Sequence, residues 1–449
     1  LKKLWKKTAV ILMIIPVLMM TILATPHTAQ AAEDLGLHVD AAILINADTG
    51  QILYEQNAES PLGIASMSKM MTEYLLFEAI KEGKVSWDQE YTVTDYTYKV
   101  SQDRQLSNVP LRLGEKYTIR ELYEALAIYS ANAATIGIAE TIAGSETKFV
   151  KMMNDKAAEL GLEGYTFVNS TGLNNEHLHG MHPEGTGDKD ENVMPAKSVA
   201  LLAYRLLKDY PEVLDTTSVP TKIFREGTDD AIKMDNWNFM LPGFVFAYEG
   251  VDGLKTGTTE FAGHCFTGTA KRGDTRLIAV VMKAVDDKGN GSYKARFDAA
   301  KTLFEYGFNQ FSEKEIFPAA HQFKGNKTVP VKKGKEKQVK IGVEKPFSML
   351  VQTTDQDEYD VKFTKDETKL KDGSLEAPVK KGTVVGKADI VRKDGGPVYG
   401  FVQGGELGAD VVTLEKVEKA GWFKLTLQAI GDFFSGVWNK STDFVKGLF

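Results

Sequence analysis

The spacing of apolar and polar positions changes character several times along the chain. Ala42-Ile43-Leu44-Ile45 and Gln51-Ile52-Leu53-Tyr54 flank Asp48-Thr49-Gly50, the pattern of a β-hairpin. The period then becomes helical. A helix is predicted from about Ser66 to Glu82, ended by Gly83 where a left-handed residue is favoured. Thr118-Ile119-Arg120-Glu121 is a capping box, and Leu122, Ala125, Leu126 and Tyr129 follow at helical spacing. Further helices are predicted over about 133–143, stopping at Gly144, and over about 195–207. From 251 to 282 the pattern returns to strands, with 261–270 and 275–282 on either side of the turn Lys271-Arg272-Gly273-Asp274. A helix over 295–306 closes the region. This order predicts an α+β unit, an antiparallel sheet with helices packed on it.

Near Phe317 the composition shifts towards Lys, Asp, Glu, Val and Thr in short alternating runs, with Asp372-Gly373 and Lys381-Gly382 as turn signals. Residues 316–418 therefore read as a small all-β domain. The last segment, 419–449, sets Phe423, Leu427, Ile430, Phe434, Trp438 and Phe444 on one helical face. It is expected to be an amphipathic helix lying on a membrane surface, held mainly by apolar burial. A helix packed on the protein's own core is the alternative.

The first 31 residues read as an export signal. Lys2, Lys3, Lys6 and Lys7 precede an apolar run, and Ala29-Gln30-Ala31 is a small-x-small cleavage site. An uncleaved anchor is the other reading of that run. Four units then follow: signal 1–31, catalytic domain 32–315, β domain 316–418 and anchor helix 419–449. The expected location is outside the cytoplasm, peripheral on the outer face of the membrane. The formal charge of −7 sits with four lysines in the leader, so the remainder is more acidic still and is not expected to bind nucleic acid. Cys265 is the single cysteine, so no internal disulfide is possible.

Three strings carry the chemistry: Ser66-Met67-Ser68-Lys69, Ser130-Ala131-Asn132 and Lys255-Thr256-Gly257. A serine hydroxyl needs a base within hydrogen-bond reach. Lys69, three residues on, lies one helical turn from Ser66. It becomes a base only if its pKa falls, through burial among Met67, Met70 and Met71 and through a second cation, Lys255. Ser130 would pass a proton to a leaving amine, and Asn132 would hold a substrate amide. Lys255 supplies positive charge, Thr256 a hydroxyl, and Gly257 room for close backbone approach. Taken singly, each string also reads as a helix cap or a solvated lysine. His177, His179 and His182 match no standard zinc spacing, and no metal or cofactor is expected.

The three strings in this order are the signature of penicillin-binding proteins and β-lactamases. The chain resembles the low-molecular-mass penicillin-binding proteins that are D-alanyl-D-alanine carboxypeptidases, the vegetative enzymes of bacilli among them. The resemblance covers nearly the whole chain and includes Phe167-Val168-Asn169-Ser170-Thr171-Gly172-Leu173 and Val251-Asp252-Gly253-Leu254-Lys255-Thr256-Gly257. Ser-Ala-Asn, in place of Ser-Asp-Asn, suits the carboxypeptidases and counts against a class A β-lactamase. The resemblance implies the penicillin-binding, β-lactamase-like transpeptidase fold. It makes Ser66 the nucleophile on the bond between two terminal D-alanines of peptidoglycan stem peptides, and β-lactams covalent inhibitors at the same serine. It also implies Lys69 as base and Ser130, Asn132 and Lys255 as proton relay and peptide holders. Thr256 would contact the terminal carboxylate, with backbone N–H groups of Ser66 and Thr258 as oxyanion hole and Arg296 near the carboxylate. A β-lactamase or esterase on the same scaffold is the alternative function, and a catalytically silent wall-binding protein a third.

Overall fold

The computed structural model describes residues 34–396, 398–404, 408–422 and 426. The proposed leader, 1–31, lies outside the described residues, as does the segment 419–449 apart from 419–422 and 426.

The first unit is built on a five-stranded antiparallel sheet. Its strands are β1 (Ala41–Asn46), β2 (Ile52–Gln56), β3 (Val251–Thr259), β4 (Gly263–Arg272) and β5 (Thr275–Met282), in the spatial order β2-β1-β5-β4-β3. The hairpin read from the first two apolar runs is β1–β2. All six β1 residues are buried, because the sheet is covered on both faces. Side chains alternate between the faces. Ile43, Ile45, Ile278 and Val280 enter one core, while Leu44, Leu277, Ala279 and Val281 enter the other. The register Ile43–Val280 and Leu44–Ala279 keeps these sets matched across the ladder.

The first core is made with α1 (Lys69–Lys81), α2 (Asp95–Gln102), α3 (Ile119–Tyr129), α4 (Asn132–Ala143), α5 (Glu146–Glu159) and α6 (Ala196–Asp209). The second rests on α7 (Tyr293–Gln310) through Phe297, Ala300, Leu303 and Phe304. The capping box at Thr118 and Glu121 forms in both directions and starts α3. Helix α1 is buried almost all round, Lys69, Thr72 and Glu73 included. A helix enclosed on every side belongs inside a large unit, where polar side chains stay only for a reason.

Two local differences from the sequence pattern have clear causes. The stretch read as a helix from Ser66 opens with a 3-10 turn, Ala65–Ser68, and α1 begins at Lys69. The run read as a strand from Phe261 begins at Gly263, since residues 259–263 turn. Thr259 Oγ1 accepts the Ala262 N–H there, Gly263 takes φ +66°, and Phe261 is 56% exposed.

Strand β6 (Phe311–Phe317) follows α7 without a loop and pairs with β9 (Phe347–Gln352). Six more strands form a second sheet: β7 (Thr328–Lys332), β8 (Gln338–Val343), β10 (Tyr359–Lys365), β11 (Leu375–Glu376), β12 (Val384–Arg392) and β13 (Gly408–Thr413). Their order is β10-β12-β13-β8-β7-β11. Val329, Val339, Ile341, Val351, Val385 and Val411 form its own core. The buried Gln51 amide ties the two parts, donating to Leu350 O at 2.7 Å and accepting from Leu350 N at 3.1 Å.

Candidate active site

Ser66 lies in the 3-10 turn that feeds α1, and Lys69 is the first residue of that helix. The turn is strained. Ala65 adopts φ +46°, a region that a residue with a Cβ rarely enters. It is held from two sides by glycines. A Cβ on Gly172 would lie 1.8 Å from Ala65 O, and one on Gly257 would lie 2.6 Å from Ile64 O and 3.1 Å from Ala65 Cβ. Both strands of chain can approach the serine turn this closely only because they carry no side chain there.

Lys69 is fully buried, and its Nζ lies 2.8 Å from each of three oxygens: Ser66 Oγ, Asn132 Oδ1 and Thr171 O. Burial, and then the charge of Lys255, hold this amine well below the ordinary lysine value, against an opposing pull from Glu73. Ser130 caps α3 in the left-handed conformation, φ +58°, so that α4 restarts at Asn132 after a two-residue junction. That reversal turns Ser130 Oγ towards Lys255 Nζ at 2.9 Å. Asn132 is fixed by its Nδ2 donating to Ser107 O at 3.0 Å, and Ala133 N donates to Asn108 Oδ1 at 2.9 Å.

Lys255 and Thr256 are buried on β3, while Thr258 is exposed. Burial pushes the Lys255 amine down to about 7, with Glu73 opposing and Arg296 adding to the fall. Among the described residues β3 has only β4 as a strand neighbour, so it is an edge strand of the sheet. Arg296, on α7, reaches under this strand, where Nη1 donates to Thr258 Oγ1 at 2.9 Å and to Gly257 O at 3.2 Å. The nine residues singled out in the sequence thus come together where the serine turn, the α3–α4 junction and β3 meet, with Arg296 buried behind β3.

The histidines go elsewhere. His182 bonds Thr186 Oγ1 and Asp188 Oδ1, each at 2.9 Å, and His179 lies 3.8 Å from Asp103. Among the described residues no group of three or more His, Cys, Asp or Glu side chains gathers as for a metal ion. Cys265 is buried in β4, and burial raises its thiol to about 11, which leaves it unreactive.

The family model described as D-alanyl-D-alanine carboxypeptidase matches residues 27–286. The chain belongs to this family. A second model, the C-terminal domain of penicillin-binding protein 5, matches residues 311–419 of the carboxypeptidase. The D-alanyl-D-alanine carboxypeptidase DacF of Bacillus subtilis is 32% identical over 90% of this chain and 92% of its own length. DacC of Escherichia coli is 28% identical over 88% of each. Among solved structures, PBP3 of Streptococcus pneumoniae, described as a peptidoglycan synthesis regulatory factor, is 34% identical with a TM-score of 0.70. It aligns with 85% of this chain and 100% of that one. Penicillin-binding protein 5 of Haemophilus influenzae is 25% identical, TM-score 0.66, over 85% and 98%. The fold is the penicillin-binding transpeptidase fold followed by an all-β domain.

Some parts of the carboxypeptidase site carry no side-chain signal. Thr171 contributes a backbone carbonyl. It is aimed by a buried network in which Asn169 Oδ1 accepts from Thr171 N and Gly172 N, Thr72 Oγ1 donates to Ser170 O, and Glu146 Oε1 accepts from Ser170. Asn192 Nδ2 joins Asn169 O to Ser68 Oγ. The string 167–173 marks this loop, but only its fold shows that the Thr171 carbonyl is the group that meets Lys69. Ser107 and Asn108 likewise act on Asn132 and α4 from a distant loop.

Proposed function

We propose that this D-alanyl-D-alanine carboxypeptidase works through an acyl-enzyme on Ser66, with Lys69 as the general base. The observation that carries this reading is the threefold contact of Lys69 Nζ. Asn132 Oδ1 and Thr171 O can only accept, so they take the two N–H groups of a neutral amine. The lone pair is then left facing Ser66 Oγ, ready for its proton. The downward shift of the Lys69 pKa, caused first by burial and then by Lys255, favours the neutral amine.

In the proposed reaction a stem peptide ending in D-Ala-D-Ala lies along the open edge of β3. Ser66 gives its proton to Lys69 and attacks the carbonyl between the two D-alanines. The electron pair moved to the carbonyl oxygen is met by the backbone N–H groups of Ser66 and Thr258. Ser130, backed by Lys255, protonates the leaving amine, and the terminal D-alanine departs. Thr256 and the positive charges of Lys255 and Arg296 hold its carboxylate, and Asn132 holds the substrate amide. Water then hydrolyses the acyl-enzyme. A β-lactam enters at the same serine and has no leaving fragment to diffuse away.

The enzyme acts outside the cytoplasm, where peptidoglycan lies, and the segment 419–449 holds it on the outer face of the membrane. No described helix is long and apolar enough to cross a membrane; the surface anchor rests on the apolar face that the sequence sets along 419–449. Deleting 419–449 should release the protein from the membrane fraction, and unchanged retention after removal of the leader would refute the anchor. The function itself is tested by D-alanine release. Purified protein should free D-alanine from a peptide ending in D-Ala-D-Ala. No release, with rapid turnover of penicillin instead, would overturn the assignment in favour of a β-lactamase.

A further inference from the structure

Glu73 has no part in the reaction just described, yet it stands inside the site. It lies four residues after Lys69 on α1, one turn further along the same face. It is 1% exposed, and neither carboxyl oxygen has a hydrogen-bond partner. The titratable groups it interacts with electrostatically are Lys69 on its own helix, Lys255 on β3 and Tyr123 on α3. An unpartnered carboxyl at this depth destabilises a fold unless nearby charge compensates it. The neighbouring positions on α1 hold Met70, Met71, Leu75 and Leu76, so an apolar residue would fit the surroundings. What distinguishes position 73 is the pair of amines.

We propose that Glu73 is a positioning residue that acts through Lys69, its carboxylate serving as counter-ion to the ammonium formed on attack. When Ser66 attacks, its O–H bond breaks and the proton goes to the Lys69 lone pair. The Oγ pair forms the bond to the carbonyl carbon, and the carbonyl π pair moves to oxygen. Glu73 exchanges no atom with the substrate; its charge lowers the energy of the ammonium created in that step. Burial raises the Glu73 carboxyl to about 8, while Lys255 and then Lys69 pull it down. The inference rests on Ser66 and Lys69 acting as proposed above.

The test is the pH profile of the second-order acylation rate with a β-lactam. Glu73→Gln removes the ammonium–carboxylate state, so the acidic limb, where Lys69 loses its proton, should move down by about one pH unit. The plateau should fall about tenfold, the equivalent of one pKa unit of lost ammonium stabilisation. Glu73→Met should show the same shift with a higher thermal midpoint, since it leaves no buried polar atom unpartnered, and it carries the test if the Gln variant does not fold. A limb that stays in place or moves up, or a loss uniform across pH, overturns the proposal. A penicilloyl adduct on Ser66 in every variant would leave the underlying mechanism standing whichever way Glu73 falls.

Discussion

Replacing Gly172 by alanine should damage the fold and the chemistry together, through one contact. The added methyl would lie 1.8 Å from Ala65 O, 2.4 Å from Ala65 C and 2.7 Å from Ser68 Oγ. Carbon and oxygen rest at about 3.3 Å, so one of the two backbones has to move by roughly 1.5 Å. Gly172 also has φ +81°, where a Cβ alone costs about 1–2 kcal/mol. Overpacking adds ~1–3 kcal/mol. A total of about 3 kcal/mol corresponds to a fall in thermal midpoint of roughly 6–12 °C. The catalytic effect follows from who is displaced. Ala65 is bonded to Ser66, and Gly172 follows Thr171, whose carbonyl holds Lys69. A shift of about 1 Å between reacting groups reduces rate roughly 100-fold. The assay is acylation by a fluorescent penicillin, measured beside a thermal melt. Gly180→Ala is the control, because Gly180 has φ +74° with nothing within 4 Å of a Cβ. It should lose about 1–2 kcal/mol and keep its acylation rate. The reasoning fails if Gly172→Ala melts and acylates like the Gly180 variant.

Two further outcomes follow from the buried cations. Arg296→Met removes the donor to Thr258 Oγ1 and Gly257 O and should raise KM for a peptide with a free C-terminal carboxylate about tenfold or more. An equal effect on a C-terminally amidated acyl donor would show that no carboxylate is involved. Lys255 is held at about 7 in the fold against 10.5, so between those values the unfolded chain binds the extra proton. Its contribution to stability therefore grows as pH rises through that window. Lys255→Met should flatten the rise of thermal midpoint between about pH 7 and 9 and raise the midpoint at pH 7; identical slopes would contradict the burial argument.

What could be read from the sequence follows a physical rule. Ser66, Lys69, Ser130, Asn132 and Lys255 could be singled out because the proposed acyl transfer calls for those side-chain groups, and the structure brings them together. The α+β order, the capping box at Thr118 and the glycine stops at Gly83 and Gly144 were legible because each is a local backbone requirement. Thr171 was not, since any residue has a carbonyl. The strain at Ala65 was hidden because alanine gives no sign of a left-handed turn; the glycines that pack against it lie far along the chain at 172 and 257. Glu73 was hidden too. Four residues from a lysine on a helix, it reads as an exposed ion pair, and only the enclosure of α1 on all sides shows otherwise. Phe261 sits in an apolar run yet is exposed, because the turn ending at Gly263 takes it out of the strand.

The central claim is that Ser66 is the residue acylated and that Lys69 activates it. The most direct measurement is peptide mapping by mass spectrometry after a brief reaction with penicillin. One penicilloyl group is predicted, on the peptide that carries Ser66, absent in Ser66→Ala and formed very slowly in Lys69→Ala. A stable adduct on any other residue, or full labelling of the Ser66→Ala protein, would contradict the account.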